Sequence, residues 1–236
     1  MVGEKTRDIL VSAGREDRTT LLEPEAKTIC AEYEIPIPPF KLTTTIVEAM
    51  EAASRLGFPV VLKIVSPDIL HKTEARGVLL NLMNNNAVDK GYRQITENAL
   101  NYDPGARIEG VLVQKMVPQG TEVIIGGIKD PQFDQIVMFG LGGVFTEILK
   151  DVTFRMAPIS KDDAREMIRE IKAYPLLKGY RNQRAADQES IIQILLNISR
   201  MMIENEEIGQ MDLNPVMVYP KGASVVDARI ILKRLR

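Results

Sequence analysis

Two scarcities shape the chemistry open to this chain. It has one cysteine, Cys30, and one histidine, His71, among 236 residues. A lone cysteine excludes an internal disulfide and a multi-cysteine metal centre, and a lone histidine confines all imidazole chemistry to one place. Tryptophan is absent, aromatics make up 5 % of the residues and the net charge is only −2. The basic, aromatic-studded face of a nucleic-acid reader is therefore missing. No apolar run approaches the ~18 residues that span a bilayer, and Met1 to Asp8 lacks a signal-peptide core, which makes the cytoplasm the expected location. What is present, 45 % hydrophobic and 26 % charged residues, suits a globular chain with a core for one large domain or two lobes.

Along the chain, residues 1–20 are polar and read as an N-terminal arm. Glu23 to Glu34 reads as a helix, with Pro24 early and Ala26, Ile29, Cys30 and Tyr33 at i, i+3, i+4, i+7 spacing. The proline-rich stretch Ile35 to Phe40 stops it. A second helix fits Thr45 to Leu56, closed by Gly57. Phe58 to Val65 reads as a buried strand in which period two puts Lys63 beside Val61 and Val65. A lysine in so apolar a run calls for an anionic partner. His71 follows on a polar loop between Ser66 and Gly77, ahead of a strand at Val78 to Met83. The pattern continues with a helix from about Asn86 to Tyr102 and strands at Gly110 to Val117, Thr121 to Lys129 and Gln135 to Phe139. Gly140 to Gly143 then leads through Val144 to Glu147. Ser160 has the chemistry of a helix N-cap. The longest helix spans Asp187 to about Asn205, and strands at Gly209 to Val218 and Ser224 to Leu232 finish the chain.

Several residues in this pattern could carry chemistry. Lys63 and Lys115 in two apolar strands, with Glu122 in a third, suggest a lined polar cleft. Period two sets Gln210, Asp212 and Asn214 on one face, and a hairpin would bring Asp227 close to them. Hard oxygen donors without cysteine or histidine suit Mg²⁺, although a polar outer sheet face fits the same spacing. Gly140, Gly142 and Gly143 would let backbone amides approach a phosphate, or simply turn the chain. Neither a Gly-x-Gly-x-x-Gly fingerprint nor a Walker A loop is present. Together these groups would hold a nucleoside triphosphate and Mg²⁺ between two β-rich lobes, with His71 as a phosphoryl acceptor, since neutral imidazole is a competent nucleophile.

The motifs Glu23-Pro-Glu-Ala-Lys27, Phe58-Pro-Val-Val-Leu-Lys63, His71-Lys-Thr-Glu74, Phe139-Gly-Leu-Gly-Gly143, Asp212-Leu-Asn-Pro215 and Val226-Asp-Ala-Arg229 occur in that order. They resemble the ATP-grasp (β) subunit of the ADP-forming acyl-CoA synthetases, over about residues 20 to 233. The resemblance implies an α/β ATP-grasp fold with nucleotide held between two lobes, expected at 21–117 and 118–236. It implies an enzyme that interconverts acyl-CoA, ADP and phosphate with free acid, ATP and CoA. By position, Lys63 would contact nucleotide phosphate, and Gln114, Lys115 and Met116 would form a strand edge that reads adenine. Glu122 would bind ribose. Asn214 and Asp227 would hold Mg²⁺, with Asp212 beside them near the phosphohistidine. His71 would receive phosphate from a histidine of a partner α subunit that carries the CoA-binding domain, in an α2β2 assembly, and pass it to ADP. A succinyl-CoA-synthetase-like β subunit and a regulatory, non-catalytic ATP-grasp domain are the alternatives. Arg76, Asp134 and Asn182 stand where the family pattern leads one to expect glycine.

Overall fold

A computed structural model describes residues 3–143, 150–179 and 184–233. The Val144 to Glu147 passage and Asn182 lie outside the described residues. The chain divides into two compact units, one of Met1–Leu21, Glu25–Ile37 and Gln119–Arg236, the other of Leu22–Pro24 and Pro38–Pro118.

The smaller unit is built on an antiparallel sheet of β1 (Phe40–Thr43), β2 (Val60–Val65), β3 (Val78–Leu82) and β4 (Gly110–Lys115), in the order β1-β4-β2-β3. Helices α3 (Ile46–Leu56) and α4 (Asn85–Tyr102) pack with it. Thr45 caps α3 through a reciprocal capping box with Glu48, and Gly57 ends the helix at φ +77°, which a side chain would resist. Every residue of β2 is buried. Its apolar side chains Val60, Leu62 and Ile64 meet Val111 and Val113 of β4 and Val88, Ile95 and Ala99 of α4 in one core.

The larger unit holds β5 (Thr121–Asp130), β6 (Asp134–Leu141), β7 (Val152–Met156), β8 (Ile208–Val218), β9 (Ala223–Val225) and β10 (Ala228–Leu232). The strand order is β10-β8-β5-β6-β7, with β9 also on β8. Helices α5 (Lys161–Glu170), α6 (Tyr174–Leu177) and α7 (Gln188–Glu204) lie between β7 and β8 in the chain, with α7 packed on β5 and β6. Its approach is close at Gly127, where an added Cβ would lie 2.8 Å from Met202 Cγ. With 17 residues, α7 is one residue shorter than the 18-residue α4, so α4, and not the helix from Asp187, is the longest among the described residues.

Two expectations change here. The polar stretch read as an arm contains helix α1 (Glu4–Arg15). Its first-turn amides are taken by the carboxylate of Glu32 at the end of α2 (Glu23–Glu32): Thr6 N and Oγ1 donate to Oε2 at 2.8 and 2.6 Å, and Lys5 N to Oε1 at 3.1 Å. A cap supplied from 26 residues away leaves no local signal. The Thr6 hydroxyl, helped by the two amides, holds the Glu32 carboxyl below its usual range. The strand read over Ser224 to Leu232 is interrupted between β9 and β10. There Val226 N donates to Pro215 O at 2.9 Å, and the fully buried Lys27 donates its Nζ to Val226 O at 2.8 Å.

Candidate active site

In the smaller unit, the lysine that needed a partner has one. Lys63 Nζ donates to Glu23 Oε1 at 2.6 Å, and Lys72 Nζ to Oε2 of the same carboxylate at 2.5 Å. The Glu23 side chain is 1 % exposed and that of Lys63 5 %. At that burial, removing the shared carboxylate would leave uncompensated positive charge and cost about 3–5 kcal/mol. Glu23 opens α2, whose Pro24 takes the second position, where a missing N–H costs no helical bond.

His71 is exposed and stands at the head of a turn-rich stretch, 72–76. Its carbonyl accepts from Ala75 N at 3.2 Å. Ile69 and Ala75 are buried on either side, so the segment is rooted by apolar anchors while His71 itself is exposed. Arg76 has φ +50°, the left-handed conformation that glycine adopts most cheaply. Asp134, at the β5–β6 turn, has φ +61°. Both positions where glycine was expected therefore do call for glycine-like backbone, and a side chain occupies them nonetheless.

Strand β4 lies between β1 and β2, so Gln114, paired with Phe40 and Val61, is interior and buried. Beyond it, Lys115 N donates to Pro39 O at 2.9 Å and Met116 N to Pro59 O at 3.1 Å. The Lys115 ammonium donates to the carbonyls of Gly57 and Phe58 at 2.8 and 3.1 Å, satisfying acceptors at the C-terminal end of α3. These amides and this ammonium are committed inside the unit.

In the larger unit, one face of the sheet collects the remaining candidates. Gly126 of β5 faces Asp212 of β8, and Ile124 faces Gly140 of β6. Alternation then puts Glu122, Gly140, Gly142, Gln210 and Asp212 on the face opposite the helices. Glu122 is exposed. Gly140 is a ladder residue between Ile124 and Val152, and the Gly142 amide donates to Glu122 O at 2.8 Å. These glycines let strands approach closely: a Cβ on Gly142 would sit 3.0 Å from Glu122 Cβ. The free-amide cradle expected of Gly140 and Gly142 is thus used up in the sheet, and Gly143, at φ +64°, is the one of the three beyond it.

Asp212 faces Arg229 of β10, and Asn214 N donates to Asp227 O at 3.3 Å. Asp227 follows directly on the carbonyl that Lys27 holds. Burial, then the negative charge of Asp227, push the Asp212 carboxyl above its usual range, while Arg229 partly offsets them. Arg229 Nε is buried without a hydrogen-bond partner among the described residues. Two carboxylates that raise each other's cost of ionisation are relieved by a cation. Among the described residues no group of three or more His, Cys, Asp or Glu side chains could hold a metal. Mg²⁺ takes one or two carboxylates and completes its shell with water and substrate phosphate. Asp212, Asn214 and Asp227 fit that ion. Glu23, Lys27, Lys72 and Arg229 had no role in the sequence reading; the need of Lys63 for an anion was the signal that could have found Glu23.

The ATP-grasp domain family matches residues 12–232, and the chain is an ATP-grasp protein. It is 49 % identical over 228 residues to the β subunit of acetate–CoA ligase [ADP-forming] I of Pyrococcus furiosus, covering 97 % of this chain and 98 % of that one. It belongs to that family of ADP-forming acetate–CoA ligase β subunits. The dinucleotide-forming acetyl-coenzyme A synthetase 1 of Ca. Korarchaeum cryptofilum, solved with coenzyme A, Ca-AMPCP and HgCl⁺, superimposes with a TM-score of 0.95 at 51 % identity, over 97 % of this chain and 100 % of that one. A second structure of that enzyme, with coenzyme A and Mg-AMPPCP and its phosphohistidine segment pointing towards the nucleotide site, gives 0.86 at 49 % identity, again over 97 % and 100 %.

Proposed function

We propose that this chain is the nucleotide-binding subunit of an ADP-forming acyl-CoA synthetase and that His71 carries phosphate between a partner α subunit and ADP. The observation that carries this reading is the setting of the sole histidine. It is exposed on a rooted turn, and its neighbour Lys72 shares one buried carboxylate with Lys63. The phosphohistidine segment named for the Korarchaeum enzyme supports the same role.

In this reading Lys63 meets the nucleotide phosphates and Glu122 the ribose, while Gln114, Lys115 and Met116 contribute backbone carbonyls, rather than amides, to the adenine. Gly143 lies beside the phosphates. Asp212, Asn214 and Asp227 hold Mg²⁺, which when bound neutralises charge on the transferring phosphoryl group. An imidazole nitrogen of His71 attacks the phosphorus presented by the partner, forming P–N as the bond to the donor breaks. The terminal phosphate oxygen of ADP then attacks the same phosphorus, forming P–O and releasing imidazole. The α partner supplies the CoA-binding domain and a second phosphorylated histidine in an α2β2 enzyme, and the reaction runs in the cytoplasm, where ADP, ATP and CoA are exchanged.

Co-purified with the partner, the chain makes ATP from acetyl-CoA, ADP and phosphate, and Mg·ADP raises its melting temperature, as ligand binding to the native state requires. A complex that shows neither effect contradicts the reading.

A further inference from the structure

His71 is exposed, yet the residue next to it is tied down. Lys72 reaches Glu23 Oε2 at 2.5 Å while Lys63, on the central strand β2, holds Oε1 at 2.6 Å. The Glu23 side chain is 1 % exposed, so its two oxygens are directed by protein groups and not by bulk water. We propose that Glu23 is a positioning residue for phosphoryl transfer: its carboxylate sets the root of the His71 segment against the lysine that takes the nucleotide phosphates. The inference rests on the roles proposed above for His71 and Lys63.

The geometry makes the carboxylate hard to replace. One planar group accepts from two ammonium donors through separate oxygens, the charge-assisted arrangement that gives the shorter and stronger bonds. Glutamine of the same shape offers a single acceptor, and its NH2 would face an ammonium. The rest of the segment is fixed from other directions. Asp68 Oδ2 accepts from Arg107 N at 2.7 Å, Gly77 N donates to Lys72 O at 2.7 Å, and Asn98 Nδ2 donates to Arg76 O at 3.0 Å. These bonds hold the two ends of the turn. The Lys72–Glu23 bond acts at the residue beside the imidazole and refers it to β2. Misplacing a reacting group by about 1 Å costs on the order of 100-fold in rate, so a tie at that point has leverage on transfer without touching the nucleotide.

The test uses the complex with its partner, Mg·ATP as the probe and the acid-labile label on this chain as the readout. Lys72→Gln and Glu23→Gln each slow phosphoryl transfer from Mg·ATP to His71 by roughly 10- to 100-fold. The Kd of Lys72→Gln for Mg·ATP stays within about twofold of the parent, and Lys72→Arg recovers most of the rate by restoring a cation to Glu23. The double variant is no slower than the slower single, as expected of two residues acting through one bond. Transfer by Lys72→Gln at the parental rate, or a double variant with multiplied losses, overturns the proposal. If Glu23→Gln does not fold, Lys72→Gln and Lys72→Arg carry the test. If the parent complex gives no His71-dependent label, the functional reading fails, and a second readout addresses Glu23 separately. With one histidine in the chain, labelling this chain alone gives a single set of imidazole NMR signals, and Lys72→Gln makes that ring measurably more mobile; unchanged relaxation overturns the positioning role.

Discussion

The Gly77 amide donates to the Lys72 carbonyl at 2.7 Å, closing the turn that presents His71. Gly77 is packed so tightly that an added Cβ would lie 2.5 Å from Ile64 Cγ2 and 3.1 Å from Lys72 O. Gly77→Ala is therefore expected to cost about 1–3 kcal/mol through overpacking. Its neighbour behaves oppositely. Arg76, at φ +50°, bears a left-handed penalty of about 1–2 kcal/mol, against which glycine loses about 0.5–1 kcal/mol of unfolded-chain entropy. Arg76→Gly should leave stability unchanged or raise it by up to about 1 kcal/mol. Denaturant unfolding of the two variants checks this, and a loss at Arg76→Gly comparable to that at Gly77→Ala would contradict it.

Glu32 ties α1 to α2, and its hydrogen bonds with Thr6 and Lys5 lower its pKa. A carboxyl depressed in the folded state contributes stability that is present above its unfolded value, about 4.3, and is lost as pH falls through the lower folded value. Glu32→Gln should be less stable than the parent by about 1 kcal/mol at neutral pH, with faster amide exchange in residues 4–15. The gap should close in acid below the ordinary glutamate range. A gap that does not change with pH would contradict the assignment.

The proposed adenine contact of Lys115 is through its backbone carbonyl, while its ammonium binds the carbonyls of Gly57 and Phe58. Lys115→Met should lower thermal stability, by about 1–2 kcal/mol for two charge-assisted acceptors in a half-buried place. Loss of nucleotide binding at unchanged stability would instead give the ammonium itself a role at the nucleotide.

Asp227→Ala should remove most of the Mg²⁺-dependent rise in melting temperature with ADP. Asn214→Ala should remove less, because a neutral amide contributes no charge to a hard cation. Titrating Mg²⁺ at saturating ADP by calorimetry measures both. Parental Mg²⁺ affinity in Asp227→Ala would place the ion elsewhere.

What could be read from the sequence follows the range of each interaction. Period two placed Asp212 and Asn214 on one face and exposed the need of Lys63 for an anion, because strand alternation is local. Glu23 itself could not be found that way, since it lies 40 residues before Lys63. The break at Val226 depends on Lys27, 199 residues away, and α1 depends on Glu32. Local propensity carries no trace of such partners. The interior place of Gln114 was hidden for a related reason: a strand's own residues do not reveal that β1, from before α3, pairs on its outer side. Glycine-like positions were legible as departures, and Arg76 and Asp134 both prove to have positive φ.

The most direct test of the account is the fate of the γ-phosphate. With terminally labelled ATP and Mg²⁺, the complex should place acid-labile label on this chain, ADP should discharge it to ATP, and His71→Ala should abolish it together with ATP synthesis. Label confined to the partner, with ATP synthesis unchanged in His71→Ala, would contradict the role of His71.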